Sequence, residues 1–172
     1  MKILMCEPRY FDVVYSINPW MNNEQRVDKT HAFIQWAQLK DTIERCGATV
    51  ELVDQDVTSP DMVFTANAGF VFDHKVFLAT FKHPQRQVEK KYFSKWFNEN
   101  GYLIHGDLDL VPFEGAGDLL SCGHKLFAAY GFRTDPSIYN EIATLMPDFK
   151  LVKLQLADPD FYHLDTCFCP LN

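Results

Sequence analysis

Three segments of the chain set acids, an amide and an imidazole among small or apolar neighbours. They are Asn67 in Phe64-Thr65-Ala66-Asn67-Ala68-Gly69, Glu114 and Asp118 in Phe113-Glu114-Gly115-Ala116-Gly117-Asp118, and His163 with Asp165 in His163-Leu164-Asp165-Thr166. A carboxylate between Phe113 and Gly115 stands in a hydrophobic setting, and a buried acid needs a partner, which a cationic ligand would supply. The alternative is a turn-flanking Glu114 whose glycines serve a bulge. On a strand, His163 and Asp165 would share a face about 6.6 Å apart, so a planar cation could sit between them, and the acid could raise the pKa of the imidazole. Here the alternative is a surface His and Asp at a strand end. The small residues Ala66, Ala68, Gly69, Gly115, Ala116 and Gly117 are expected to leave room for a ligand.

Five cysteines, Cys6, Cys46, Cys122, Cys167 and Cys169, are odd in number and unevenly spaced. Cys167 would lie about 13 Å from His163 along a straight strand, outside the reach of a nucleophile–base pair. His163, Cys167 and Cys169 lack zinc-ligand spacing, so no metal is expected, and small core thiols are the favoured reading.

The elements that must hold these groups alternate between strand and helix. Lys2 to Cys6 and Thr49 to Val53 read as strands, with a helix from Asn23 to Arg45 between them and Gly47 as its stop. In that helix Phe33, Trp36, Ala37 and Ile43 fall near one face. Met62 to Phe72 and Lys75 to Phe81 read as two β-rich runs turning at Asp73-His74. Pro84 opens a helix to about Asn98, and Tyr102 to His105 is a strand. The pattern then returns: Phe113 to Cys122 and Lys125 to Tyr130 around Gly123-His124, a helix opened by Asp135-Pro136 and ending near Met146, and a strand from Lys150 to Leu156.

The two hairpin turns, at His74 and His124, stand 50 residues apart. Across that interval His74-Lys75-Val76-Phe77-Leu78-Ala79 matches His124-Lys125-Leu126-Phe127-Ala128-Ala129, so the chain contains at least two copies of a strand–strand–helix–strand unit. The period also lines up Asn67, Glu114 with Asp118, and His163 with Asp165 on the first strand of successive units, which suggests one shared central site. The same step beyond Glu114 lands at residue 164, in a strand over His163 to Cys169. That strand either opens a third unit, cut short at Asn172 with its edges unpaired, or completes the second.

Composition excludes several classes. The net charge is −7 and the 16 Lys and Arg are dispersed, which argues against a nucleic acid partner. The N-terminal apolar run is too short for a signal peptide, and no segment approaches the ~20 apolar residues of a membrane span. A cytoplasmic protein with reduced thiols is the simplest account.

Together with Tyr15-Ser16-Ile17-Asn18-Pro19-Trp20-Met21, Asp61-Met62-Val63-Phe64-Thr65-Ala66-Asn67-Ala68-Gly69 and Gly131-Phe132-Arg133-Thr134, the Phe-Glu-Gly…Asp and His-Leu-Asp-Thr segments resemble the pentein guanidino-group-modifying enzymes. That superfamily includes arginine deiminase, dimethylarginine dimethylaminohydrolase, the amidinotransferases and the arginine dihydrolases. The resemblance runs in order along the whole chain. It implies an α/β fold, part of a five-bladed αβ-propeller, with 1–172 as a single domain of about three of the five repeats. It implies a cofactor-free hydrolase of the guanidine C–N bond, acting on arginine or a derivative through a Cys thiouronium intermediate. Glu114 would bind the guanidinium and His163 would be the general acid/base. Asp165, Asp118, Asn67 and Asn18 would line the substrate site, and Arg133 and Arg86 would grip the substrate α-carboxylate.

Two departures qualify this. The family nucleophile lies beyond residue 172, so the chain alone is expected to be inactive, with a missing C-terminal half or a homo-oligomer as its partner. Asn67 also stands where deiminases usually carry Asp, and with Asn18 it is closer to the arginine dihydrolase group, which gives ornithine instead of citrulline. An amidinotransferase and a non-catalytic pentein binding domain are the other readings.

Overall fold

The computed structural model describes residues 1–106 and 111–171. It divides into two compact units, Met1–Thr65 and the chain from Ala66 onward.

In the first unit β1 (Lys2–Cys6) pairs in parallel with β2 (Thr49–Val53), Leu4 opposite Glu51, and α1 (Lys29–Arg45) makes the crossover. The helix is shorter than the Asn23–Arg45 that periodicity predicts. Asp28 caps it by accepting the His31 N–H at 2.9 Å, and a cap side chain competes with helix for its own backbone. Gly47, at φ 86°, ends the helix as expected. Trp36, Ala37 and Ile43 are half-buried, whereas Phe33 is 45% exposed, so the apolar face is narrower than its sequence suggests.

The second unit holds two three-stranded sheets of like order. In one, β3 (Gly69–Phe72) runs antiparallel to β4 (Lys75–Leu78), which runs parallel to β5 (Leu103–His105). In the other, β6 (Leu119–Cys122) runs antiparallel to β7 (Lys125–Tyr130), which runs parallel to β8 (Lys150–Gln155). Gly69 faces Leu78 in the first hairpin, and Leu119 faces Ala128 in the second. Asp73 and His74, at φ 46° and 58°, turn the first hairpin as only short polar residues or glycine readily do. The parallel crossovers are α2 (Pro84–Gln87) with α3 (Glu89–Glu99), and α4 (Ile138–Leu145). Phe70, Phe77, Phe113, Leu119, Leu126, Ile138, Tyr139 and Ile142 form one buried cluster beneath them. No helix among the described residues is long and apolar enough to cross a membrane.

Three expected strands need correction. The run from Met62 to Phe72 begins as 3-10 turns at Pro60–Val63 and Thr65–Ala68 and becomes strand only at Gly69. The run from Phe113 to Cys122 is a single bridge from Phe113 to Thr80, a 3-10 turn at Gly115–Gly117, and then β6. His163 to Cys169 holds no strand, only a 3-10 turn at Leu164–Thr166. Alanine and glycine, poor strand formers, break the first two runs, and in each segment local bonds close the turn, such as the Asp118 N–H to Gly115 O at 3.2 Å and the Thr166 hydroxyl to His163 O at 2.6 Å.

Gly115 is the strictest of these positions. Its φ is 63°, and a Cβ there would stand 2.7 Å from both Ala66 O and Gly69 N. Gly123, at φ 54°, has open space around the same atom. Gly115→Ala is therefore expected to destabilise by roughly 3 kcal/mol and Gly123→Ala by roughly 1, measured by urea unfolding. Equal losses in the two variants would mean that the contact with Ala66 and Gly69 carries no cost of its own.

Candidate active site

The corrected turns are what build the site. Asn67 lies in the turn before β3, Glu114 and Asp118 flank the turn before β6, and His163 precedes the last turn. All four are buried, Glu114 completely. A turn points successive side chains away from a sheet ladder, so polar groups can converge without leaving strand hydrogen bonds unpaired.

His163 is held at both ring nitrogens. Nδ1 lies 3.0 Å from Asp118 Oδ1, and Nε2 lies 3.2 Å from Glu114 Oε2 and 3.3 Å from Asn67 Nδ2. Asp118 Oδ1 also accepts the Leu164 N–H at 3.3 Å, and Oδ2 accepts the Thr134 hydroxyl at 2.6 Å. Glu114 Oε1 accepts the Lys82 N–H at 3.2 Å, and Oε2 accepts from Arg133 Nη1 at 3.0 Å. Asn67 bridges the cluster: Nδ2 donates to Glu114 O at 3.3 Å and Oδ1 accepts from Arg86 Nη1 at 3.2 Å.

These contacts set the charges. Burial by itself would raise Glu114, but the hydrogen bond from His163 and the charges of Arg133, His163 and Arg86 hold its pKa at about 2. Burial by itself would lower His163, but its hydrogen bonds to Asp118 and Glu114 and their charges raise it to about 9. The resting site is thus a buried imidazolium between two carboxylates, able to deliver a proton at Nε2 while Nδ1 stays fixed.

The structure brings together Asn67, Arg86, Glu114, Asp118, Arg133 and His163 of the residues singled out in the sequence. Two of them have partners the sequence did not suggest. Arg86 sends Nε and Nη2 to the two oxygens of Glu89, both at 2.9 Å, and packs 4.4 Å from the Phe81 ring. Arg133 donates to Glu114 and stands 4.8 Å over the Tyr162 ring. Asp165 does not share a strand face with His163: it lies within the turn and is exposed, while His163 at the cap is extended and buried. Crowding around the Asp165 carboxyl still raises its pKa, against the opposing charge of His163 and with that of Asp118. Asn18 lies in the first unit, where its Oδ1 accepts the Trp20 N–H at 2.9 Å in a local turn.

Gly117 serves a different end from the one expected. A Cβ on Gly117 would overlap Asn67 Nδ2 and stand 3.3 Å from His163 Nδ1, so this glycine admits the site's own side chains, not a ligand. Cys167 and Cys169 are exposed and are not core thiols, because no strand carries them inward. The Cys167 thiol faces His163 O and Leu164 O at 3.9 and 3.6 Å.

Sequence reasoning missed Glu89, Lys82, Tyr162 and Thr134. Glu89 was detectable, since Arg86 and Glu89 are opposite charges three apart on helical sequence. Lys82 acts through its backbone N–H, which carries no residue signature.

Residues 14–170 match the family described as N,N dimethylarginine dimethylhydrolase, eukaryotic. The bifunctional arginine dihydrolase/ornithine cyclodeaminase ArgZ of Synechocystis is 48% identical over 99% of this chain, which spans 24% of ArgZ. The N(G),N(G)-dimethylarginine dimethylaminohydrolase of Mycobacterium tuberculosis is 40% identical over 99% of this chain, which spans 56% of it. The crystal structure of a variant of the ArgZ N-terminal domain bound to substrate, an arginine dihydrolase, superposes with a TM-score of 0.93 at 47% identity. There the match covers 99% of this chain and 63% of that one, so the two share one mixed α/β fold over the aligned length.

Proposed function

The chain belongs to the N,N dimethylarginine dimethylhydrolase family, and from that premise we propose that it carries the guanidinium-binding and acid–base groups of an arginine hydrolase of the dihydrolase kind. It spans less than two thirds of the length of the relatives it matches. The two like-ordered sheets are, on this reading, blades of a pentein propeller within a single domain, and the nucleophilic cysteine comes from the length of the relatives that this chain does not span. A cytoplasmic setting goes with it, since free thiols persist most readily in reducing surroundings.

The observation that carries the proposal is the buried His163 ring with Nδ1 on Asp118 and Nε2 on Glu114. In the reaction, a thiolate attacks the guanidinium carbon and forms a C–S bond while the charge of the flat cation is held by Glu114, with Asp165 as a second acid. His163 Nε2 gives its proton to the departing ammonia, leaving a thiouronium and a neutral imidazole. The imidazole then takes a proton from water, the hydroxide adds to the same carbon, and the C–S bond breaks to return the cysteine as a thiolate, while the new hydroxyl releases its proton to solvent and leaves a neutral ureido product. Asn67, an amide donor and acceptor together, suits a neutral ureido group as well as a cation, which permits a second hydrolysis to ornithine, carbon dioxide and ammonia. Arg133 and Arg86 would meet the α-carboxylate, Arg133 by exchanging its Glu114 contact for the substrate.

The full-length protein incubated with arginine labelled at the guanidino carbon tests this. Ornithine with labelled carbon dioxide and two ammonia per arginine is expected. Citrulline as the end product would limit it to deiminase chemistry, and no turnover without an added amine acceptor would favour an amidinotransferase.

A further inference from the structure

Thr134 bonds both acidic residues that flank His163 without touching the imidazole. It is buried, and it follows Arg133 directly in the chain. Its hydroxyl oxygen receives the backbone N–H of Glu114 at 3.1 Å, and its hydroxyl hydrogen goes to Asp118 Oδ2 at 2.6 Å. Neither bond can reverse. A backbone N–H only donates and an ionised carboxylate only accepts, so the hydroxyl has one orientation left. Below it, the Tyr139 hydroxyl donates to Ala129 O at 2.6 Å, backing the same buried layer.

That single orientation has a consequence for the imidazole. With Oδ2 taken by Thr134, Asp118 has Oδ1 for Nδ1 of His163 and for the Leu164 N–H, and donors on both oxygens pin the carboxylate plane. The same hydroxyl ties down the backbone from which Glu114 reaches Nε2. We propose that Thr134 is a positioning residue for the reaction above, one hydroxyl that sets both carboxylates against the two nitrogens of His163. This rests on the reading of His163 as the acid/base. The charged groups in contact with the ring are Asp118 and Glu114, with Asp165 in the following turn near enough to feel its charge, and with Arg133 and Arg86 reaching it through Glu114 and Asn67.

The test follows the His163 ring directly, by NMR of histidine-labelled full-length protein titrated through the alkaline range. Thr134→Val keeps the shape and removes the hydroxyl. Asp118 then loses one of its three donors and leaves more of its charge for the His163 and Leu164 N–H groups, so the His163 midpoint is expected to rise by about half a pH unit or more. Thr134→Ser keeps the hydroxyl and should titrate with the wild type. Should the valine variant not fold, Thr134→Ala against Thr134→Ser makes the same comparison. With arginine, the hydroxyl-less variant should lose about tenfold in kcat with KM little changed, and serine should restore it. The proposal is overturned if the valine or alanine variant titrates like the wild type, or if serine shifts equally, which would assign the effect to the methyl group. An enzyme that does not turn arginine over would sink the hydrolase reading and leave the titration to decide Thr134 independently.

Discussion

Glu114→Gln is expected to cost the full-length protein roughly 3–5 kcal/mol of folding stability and to lower kcat/KM for arginine by about 10²-fold or more. The side chain is completely buried and its two oxygens serve three donors: the Lys82 N–H, Arg133 and His163. Glutamine fills the same volume but removes the charge, leaving Arg133 and the imidazolium in the interior without their counter-ion. Its amide nitrogen would also face donors whichever way it turned, so at least one buried group loses a partner. The His163 pKa falls at the same time, because one of the two anions that raise it is gone. Glu99→Gln is the fitting control, since the Lys95–Glu99 pair is 3.8 Å apart with both side chains largely exposed, and its loss should be within about 0.5 kcal/mol. Urea midpoints of the two variants that coincide would show that Glu114 is not the counter-ion of the cluster.

The sequence and the structure part at a definite boundary. The hairpin at Asp73-His74, the helix opened by Pro84 and the alternation of strand and helix are legible because each depends on neighbours a few residues away. The acids and the imidazole are legible as polar groups in apolar surroundings. What is not legible is whatever a distant residue decides. His163 to Leu164 leaves an extended path for a turn with the Leu164 N–H bonded to Asp118, 46 positions earlier. Arg133 is spoken for by Glu114, and Asn67 by Arg86, through contacts that no periodicity encodes. Gly117 reads as spare room until Asn67 and His163 are seen to fill it. Polar side chains in an apolar run read as one face of a strand, but their convergence requires the strand to be broken.

Acid and alkali should each loosen this protein through the same cluster, by different members. Glu114 is held at about 2 against its ordinary 4.5. A depressed carboxyl contributes fully above its unfolded pKa, and that contribution drains as pH falls from about 4.5 toward 2. His163 is held at about 9 against its ordinary 6.5. A raised imidazole contributes fully below its unfolded pKa, and that contribution is lost as pH climbs from about 6.5 toward 9. The cluster therefore supports the fold most between about pH 4.5 and 6.5. Loss of either limb is worth on the order of 3 kcal/mol, and the two are not additive, because the His163–Glu114 contact belongs to both. His83 opposes the trend: burial, with Arg133, keeps its pKa low, so its contribution is present at higher pH and lost on acidification. Substituting His163→Gln isolates the alkaline limb. Wild-type stability, read from urea midpoints, should fall relative to that of the variant between about pH 6.5 and 9, and parallel curves would mean that the imidazole is no more protonated in the folded protein than in the unfolded chain across that range. If the imidazole were neutral, Nε2 would have no proton to give the leaving ammonia at neutral pH, so a stability measurement made without any substrate bears directly on the chemistry.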